Sequence, residues 1–312
     1  MTDARTPPRL RRLGGALLAV AAAATLAACA SSSSAPSASP APPPAAADPA
    51  LQSLVPAATR SAGEVRVGTN APYAPFVDFV QEGDTTQFKG IDYDLMQAAS
   101  AKLGLRVTFL QQPFDGLVPG LQAGNYDAIS GGITDNRKRQ AVATFVDYSA
   151  SGTGFVTPAA NPAGIKALPD LCGKRVAVQK ASNQEQHLTD YSRQSCPPDA
   201  PITVSGYPEN PQAVNAMLAG NADAMAATTV ALPGIVNQLG GRVALVPDPA
   251  NPNGWQASPN GIGFLKARAD LAAAYQKALQ SLVDDGTYAK ILDRYQQKAI
   301  ALPTITTDKA VD

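Results

Sequence analysis

The 312-residue sequence predicts an α/β protein of two lobes, each a mostly parallel sheet flanked by helices. Predicted strands, recognised by alternating apolar residues, alternate along the chain with predicted helices, recognised by helical apolar spacing. This order is typical of parallel α/β sheets. The sequence also repeats itself, because VPGLQAGNYDAIS (118–130) and VNAMLAGNADAMA (214–226) match at an offset of 96 residues. Each copy combines a helix end, Ala-Gly-Asn and a strand, which indicates that one α/β unit occurs twice.

The first lobe begins with EVRVGT (64–69), whose alternation and β-branched residues predict a strand. The next segment has a helical apolar stripe, with Asp92 as the expected N-cap and Gly104 at the expected end. LRVTFL (105–110) is predicted to be the second strand. After a short helix, YDAISGGIT (126–134) is predicted to be the third.

The second lobe starts with another predicted strand, GKRVAVQ (173–179). A helix is expected to follow, because Ser182 and Glu185 have the spacing of a capping box. His187 lies among polar residues of this helix and is expected to be exposed. The chain ends in two predicted helices separated by Gly286.

The composition excludes several classes of function. The chain has 25 basic and 25 acidic residues, and this balance argues against nucleic acid as a partner. It has one histidine, and this argues against a histidine-based metal site or a catalytic triad. We therefore expect neither a metal nor a cofactor.

The N-terminal segment predicts export. Four arginines within the first twelve residues precede an apolar stretch that ends at Ala28, as in a secretory signal peptide (1–28). This stretch ends in LAAC (26–29), which resembles the bacterial lipobox. That resemblance implies cleavage before Cys29, lipidation of Cys29 and a position on the outer face of the cell membrane. An ordinary signal peptide with an incidental cysteine is the alternative. Residues 29–60 are rich in Ser, Ala and Pro and predict a tether, so the folded part is expected to begin near Ser61.

Two further cysteines, Cys172 and Cys196, remain after export. A pair of cysteines in an exported protein is expected to form a disulfide. Two buried free thiols are the alternative.

Several motifs resemble the extracellular solute-binding proteins (family 3, polar amino-acid type) of bacterial ABC transporters. The resemblance runs over about 64–297, and it is carried by the order of the motifs, since each alone is weak. The motifs are GTNAPYAPF, GIDYDL, FDGLVPGLQAGNYDAI, GGITDNRKRQ and DGTYAKIL.

This resemblance implies a type II periplasmic-binding-protein-like clamshell. Lobe 1 would comprise 61–154 plus 262–312, and lobe 2 would comprise 155–261. The segment SASGTGFVTP (149–158) would join the lobes, with a second crossing near 260–265. The implied partners are a small polar ligand with a carboxylate and the permease subunits of a transporter. We expect the protein to be a monomer.

Arg139 is the principal candidate for ligand binding. The family uses an arginine of lobe 1 for the ligand's α-carboxylate, a role that suits the planar guanidinium. That arginine lies five residues after a threonine and six before a phenylalanine, which fits Arg139 with Thr134 and Phe145. Arg137 fits neither spacing, so it is expected to be solvated together with Lys138.

The resemblance implies further ligand contacts on both lobes. Packing without ligand contact is the alternative for the two aromatic residues among them. The helix that opens after Ser182 would also offer backbone N–H groups to an anion. The candidates are Asn70, Tyr73, Phe114, Gly132 and Thr134 on lobe 1, and Gln179, Ser182, Asn183 and Thr228 on lobe 2.

Two positions depart from the family pattern. Thr228 stands where the family has an aspartate for the ligand's α-ammonium, and Asn70 stands where many members have aspartate. Two explanations stay open. Another acid such as Asp94 or Asp115 serves, or the ligand is a carboxylate or masked-amine compound rather than a standard α-amino acid.

Three functions are compatible with the sequence. A lipid-anchored receptor that delivers a solute to a transporter is favoured. A sensor for a signalling partner is not distinguished from it by sequence. A dehydratase-like enzyme on the same fold is disfavoured, because such chemistry needs a general acid or base.

Overall fold

The computed structural model describes residues 47–311. The strands are β1 (Glu64–Thr69), β2 (Asp78–Phe79), β3 (Phe88–Lys89), β4 (Arg106–Gln111), β5 (Ala128–Ile129), β6 (Ala143–Pro158), β7 (Arg175–Gln179), β8 (Thr203–Tyr207), β9 (Ala224–Thr228), β10 (Val243–Val246), β11 (Trp255–Leu265) and β12 (Ala301–Thr307). The helices are α1 (Pro49–Gln52), α2 (Ala57–Ala62), α3 (Ile91–Lys102), α4 (Leu117–Gln122), α5 (Arg137–Gln140), α6 (Asn183–Ser195), α7 (Asn210–Leu218), α8 (Leu232–Gln238), α9 (Ala269–Asp284) and α10 (Thr287–Arg294). Short 3-10 turns occur at Phe114–Gly116, Leu168–Leu171, Lys266–Arg268 and Lys298–Ile300.

Ten strands form one continuous mixed sheet with a parallel part in each lobe, and β2 and β3 form a separate antiparallel pair. The order is β4-β1-β5-β11-β6-β9-β7-β8, with β10 and β12 also paired to β6. On one side β1 runs parallel to β4 and β5, and on the other β7 runs parallel to β8 and β9. The protein is therefore the predicted two-lobed α/β clamshell of type II.

Strands β6 and β11 connect the lobes. They pair antiparallel with each other from Ala143–Leu265 to Thr153–Trp255, and β6 then continues into lobe 2 beside β9 and β10. The pairing of β11 shifts register between Trp255 and Ser258, and again between Asn260 and Gly261. Both lobe boundaries that we proposed from the sequence, 154/155 and 261/262, fall inside these strands.

Each lobe has its own core. In lobe 2, β7 is buried on both faces: Val178 packs in the cluster of Leu188 on α6, and Ala177 packs in that of Met217 on α7. The C-terminal helices pack into lobe 1. One lobe 1 cluster contains residues of β1, α3, α9 and α10: Val65, Leu95, Leu279 and Ile291.

The two copies of the sequence repeat fold alike. Helices α4 and α7 are each followed by a glycine with left-handed φ, +74° at Gly124 and +78° at Gly220, a conformation in which glycine lacks the steric penalty of a Cβ. In each copy, an arginine from the neighbouring strand then forms a hydrogen bond to the aspartate in the turn between helix and strand. Arg66 donates its backbone N–H to Asp127 at 2.9 Å, and Arg175 does the same to Asp223 at 2.9 Å.

The folded part begins before Ser61. Asp48 caps α1 and donates its backbone N–H to the Lys102 carbonyl at 2.9 Å, and Val55 lies in the lobe 1 core. The predicted strand at 126–134 is shorter than expected. It is reduced to β5 because Gly131 and Gly132 turn the chain with φ values of +134° and +67°.

The expected disulfide between Cys172 and Cys196 is present, with the two Cα atoms 5.4 Å apart. It ties the turn that ends lobe 2's Leu168–Leu171 segment to the C-terminal end of α6. Closing a loop of this size stabilises a fold by about 3 kcal/mol.

Cys29 and the predicted signal peptide lie outside the described residues. No helix within 47–311 is long and apolar enough to cross a bilayer.

Candidate functional site

The lobes meet at a cleft that encloses a cavity of about 10 Å³, called here the small cavity. Nine of the ten ligand contacts predicted from the sequence line it. The tenth, Asn70, lies next to it, and its Oδ1 accepts a hydrogen bond from Gln179 Nε2 at 2.8 Å. The lining residues are Tyr73, Phe114, Gly132, Thr134, Arg139, Gln179, Ser182, Asn183, Gln184, Asn210 and Thr228.

Arg139 lies between the lobes and is only 8% exposed. Asn136 caps the short helix α5, since its Oδ1 accepts from the Arg139 backbone N–H at 2.7 Å. The guanidinium donates to the Thr134 carbonyl at 2.7 Å and, across the cleft, to the Ala181 carbonyl at 3.1 Å. It also lies 5.4 Å from the centre of the Phe114 ring, within the range of a cation–π contact. Arg137 and Lys138 are exposed, as expected.

A buried carboxylate holds the glycine turn below the site. Asp92 does not cap α3 as expected, because Gly90 occupies that position and the Asp92 side chain points into the lobe. Its oxygens accept from Ser130 Oγ at 2.6 Å, the Gly131 N–H at 2.8 Å and Tyr148 Oη at 2.7 Å. Burial raises the pKa of Asp92, and these hydrogen bonds oppose the rise. Asp92 is thus a positioning residue that the sequence pattern did not reveal.

Gly132 has no room for a side chain. An added Cβ would lie 2.6 Å from the Phe76 ring, and the φ of +67° strains other residues. The Gly132 backbone lines the small cavity.

Lobe 2 contributes the N-terminus of α6. Ser182 Oγ accepts from the Glu185 N–H at 3.2 Å, as the capping box predicts. The Glu185 carboxylate, however, accepts from the Ala181 N–H at 2.7 Å rather than from Ser182. The first-turn N–H groups of a helix have no acceptor within the helix, so this end of α6 favours an anion.

Tyr73 and Thr228 join the lobes on the other side of the cavity. The Tyr73 hydroxyl lies 2.6 Å from Thr228 Oγ1 and accepts from the Thr228 backbone N–H at 3.3 Å. Burial raises the pKa of Tyr73, and the two hydrogen bonds to Thr228 oppose this. The ring stays neutral at physiological pH and offers a polar edge to the cleft.

The two acids considered from the sequence lie elsewhere. Asp94 accepts from Arg294 at 3.1 Å and Tyr295 at 2.9 Å within lobe 1. Asp115 pairs with Lys180 at 2.8 Å. Asp115 lines a second, larger cavity of about 680 Å³ that also borders Arg139. This larger cavity opens beside the small one.

Sequence reasoning missed three further residues here. Gln184 and Asn210 line the small cavity, and Asn136 Nδ2 donates to Asn183 Oδ1 across the cleft at 2.6 Å. No motif marks them, since their positions depend on how the lobes meet. His187 is buried, contrary to expectation, and packs edge-on against Trp255 at 5.7 Å.

Two α/β lobes, two connecting strands and a buried arginine between the lobes define a clamshell binding protein. The family model for bacterial extracellular solute-binding proteins, family 3, matches residues 65–298, and the chain belongs to this family.

Relatives of known function agree with this assignment. The arginine-binding protein ArgT of Corynebacterium glutamicum is 29% identical over 249 residues, 79% of each chain. An ancestral arginine-binding protein solved with arginine is 32% identical with a TM-score of 0.66, covering 75% of this chain and 98% of that one. The ancestral amino acid-binding protein AncCDT-1, a precursor of cyclohexadienyl dehydratase, is 27% identical with a TM-score of 0.65, covering 79% and 99%.

Proposed function

We propose that the protein is a lipid-anchored extracellular receptor that captures a small polar carboxylate, an amino acid or a derivative of one, for an ABC importer. One observation carries this proposal: the guanidinium of Arg139 is buried where the lobes meet and contacts carbonyl groups of both lobes. Planar guanidinium groups bind carboxylates with paired hydrogen bonds. Closure around such a ligand would assemble the site from both lobes.

The neighbours of Arg139 support an anionic ligand. The N-terminus of α6 faces it from lobe 2, and the Gly132 backbone faces it from lobe 1. A cavity of about 10 Å³ holds no more than one water molecule, so the lobes must separate before a solute can occupy it. The proposed binding cycle therefore includes opening of the cleft.

Substitution of Arg139 tests the proposal. We expect Arg139→Gln to weaken binding of carboxylate solutes at least tenfold, because it removes the buried charge that the carboxylate pairs with. Titration calorimetry with amino acids, their derivatives and simple carboxylates measures this. Arg137→Gln is the matched control, since Arg137 is exposed two residues earlier on α5. Equal affinities of the two variants would refute a role for Arg139.

The membrane anchor is part of the same proposal. Lipidation of Cys29 would place the receptor beside its permease, with the segment before Asp48 as the tether. We expect wild-type protein to partition into the detergent phase in a Triton X-114 extraction and Cys29→Ala to remain in the aqueous phase. Identical partitioning of both proteins would argue for an ordinary secreted form.

Binding without catalysis fits this site better than an enzyme. A dehydratase needs a general acid or base at the substrate, and the residues that line the small cavity include no histidine and no carboxylate. A sensor would use the same cavity, and the neighbouring genes, a permease or a kinase, distinguish it from a transport receptor.

A further inference from the structure

The small cavity has one formal charge. Of its eleven lining residues, Arg139 alone is ionic at neutral pH, and the others are amides, hydroxyls, Phe114 and Gly132. A carboxylate balances this charge. A free α-amino acid adds an ammonium group, and a buried cation needs an acceptor, ideally an anionic one.

None of the nearby acids lines the small cavity. Asp135 turns both carboxylate oxygens toward Gln140 Nε2, at 2.9 Å each. Asp115 is paired with Lys180, and Glu185 accepts the Ala181 N–H. Asp115 and Glu185 border the larger cavity rather than the small one.

Several neutral acceptors around the cavity already receive a hydrogen bond. Asn70 Oδ1 accepts from Gln179, and Gln179 Oε1 accepts from Asn210 Nδ2 at 3.1 Å. Asn183 Oδ1 accepts from Asn136. The carbonyls of Thr134 and Ala181 accept from Arg139. An ammonium group would have to share these oxygens or rely on other neutral acceptors, without an anionic partner on the lining.

One buried donor of the cavity lining lacks a partner within the described residues. Asn183 is 5% exposed, and its Nδ2 has no hydrogen-bond partner among residues 47–311. It sits in the first turn of the 13-residue helix α6, close to the N–H groups that favour anions. A buried amide without a partner costs free energy, and a ligand oxygen would remove that cost.

We propose that the ligand is a carboxylate whose α-amine is absent or masked, such as a desamino, keto or N-acyl acid, and that the site selects against free α-amino acids. This proposal rests on the proposed function and narrows its ligand class. It sets the chain apart from the arginine-binding relatives, whose named ligand carries two cationic groups.

Calorimetry on the full-length protein tests this with matched probes. The first trio of compounds is L-glutamine, 4-carbamoylbutanoate and Nα-acetyl-L-glutamine. Two further trios contain the parent, desamino and acetylated forms of L-alanine and of L-arginine. We expect the desamino or acetylated member of at least one trio to bind at least tenfold more tightly than its parent amino acid. A smaller preference, or a preference for the parent, overturns the inference while the proposed function stands. If no compound binds, the proposed function fails as well.

A charge-restoring variant gives an independent result. Thr228 lines the cavity from lobe 2, so Thr228→Asp would add an anion there. We expect Thr228→Asp to shift the ranking toward the free amino acid at least tenfold, and Thr228→Val, which has the shape of threonine without a charge, to keep the wild-type ranking. The same ranking in both variants overturns the inference. If Thr228→Asp does not fold, the wild-type panel decides.

Discussion

Two buried aspartates of lobe 1 differ in how well their burial is compensated. Asp92 accepts hydrogen bonds from two hydroxyls and from the glycine turn. Asp147 on β6 accepts from Thr306 Oγ1 at 3.2 Å and the Lys309 N–H at 3.1 Å through Oδ2, while its Oδ1 has no partner within the described chain. Burial, together with the negative charge of Asp135 and, to a lesser extent, Asp308, raises the pKa of Asp147 to about 7.

This elevated pKa of Asp147 predicts a pH-dependent stability. An aspartate in the unfolded chain has a pKa of about 3.9, so between about pH 4 and 7 the unfolded state loses a proton that the folded state retains. Stability is therefore fully present below pH 4 and is lost as pH rises toward 7. We expect the melting temperature to fall from pH 5 to pH 8 by about 5 °C more in the wild type than in Asp147→Asn.

Differential scanning calorimetry at the two pH values measures this difference. Asp199→Asn is the control, because Asp199 is an exposed aspartate of lobe 2. Its melting temperatures should follow those of the wild type. A wild-type pH dependence equal to that of Asp147→Asn would exclude Asp147 as the source.

At the scale of elements, local signals in the sequence predicted the regular structure well. Strand β1 has the bounds expected from its alternation, and α6 begins after Ser182, where the capping box indicated. Gly286, with φ of +77°, separates α9 from α10. These features depend on residues close together in the chain, which is why sequence reasoning could reach them.

The wrong predictions concern residues whose burial depends on segments far away in the chain. The sequence gives α1 and α2 an Ala- and Pro-rich composition typical of a tether, yet Val55 is buried in the lobe 1 core. His187 has polar neighbours along α6, but Trp255 covers it from β11. The candidate site followed the same rule, since the resemblance supplied the candidate ligand contacts and could not supply the contacts between lobes.

At the scale of the whole molecule, polar contacts hold the cleft together. Lys180 of lobe 2 pairs with Asp115 of lobe 1 at 2.8 Å near the mouth of the cleft, and both side chains are partly exposed. Exposed ion pairs contribute about 0.2–1 kcal/mol. This pair therefore biases the opening equilibrium modestly and in a salt-dependent way.

Removal of this ion pair should favour the open form. We expect Lys180→Met to raise the ratio of open to closed protein by up to about fivefold, the equivalent of 1 kcal/mol. Small-angle X-ray scattering without added solute would show a larger radius of gyration than in the wild type. Arg193→Met, which removes an ion pair with Asp190 inside lobe 2, should leave the radius unchanged. A radius for Lys180→Met equal to that of the control would mean that the ion pair does not hold the cleft.

The continuous pairing of β6 with β11 constrains how the lobes move. Because the two strands remain hydrogen-bonded from one lobe to the other, the lobes cannot slide apart, and their relative motion is limited to bending and torsion of a two-stranded ribbon. Register irregularities increase local twist and flexibility in such ribbons. The two shifts in β11, at 255–258 and 260–261, lie where β6 passes from one lobe to the other. We expect this crossing to act as the hinge, so that each closure returns Arg139 to the same partners on lobe 2.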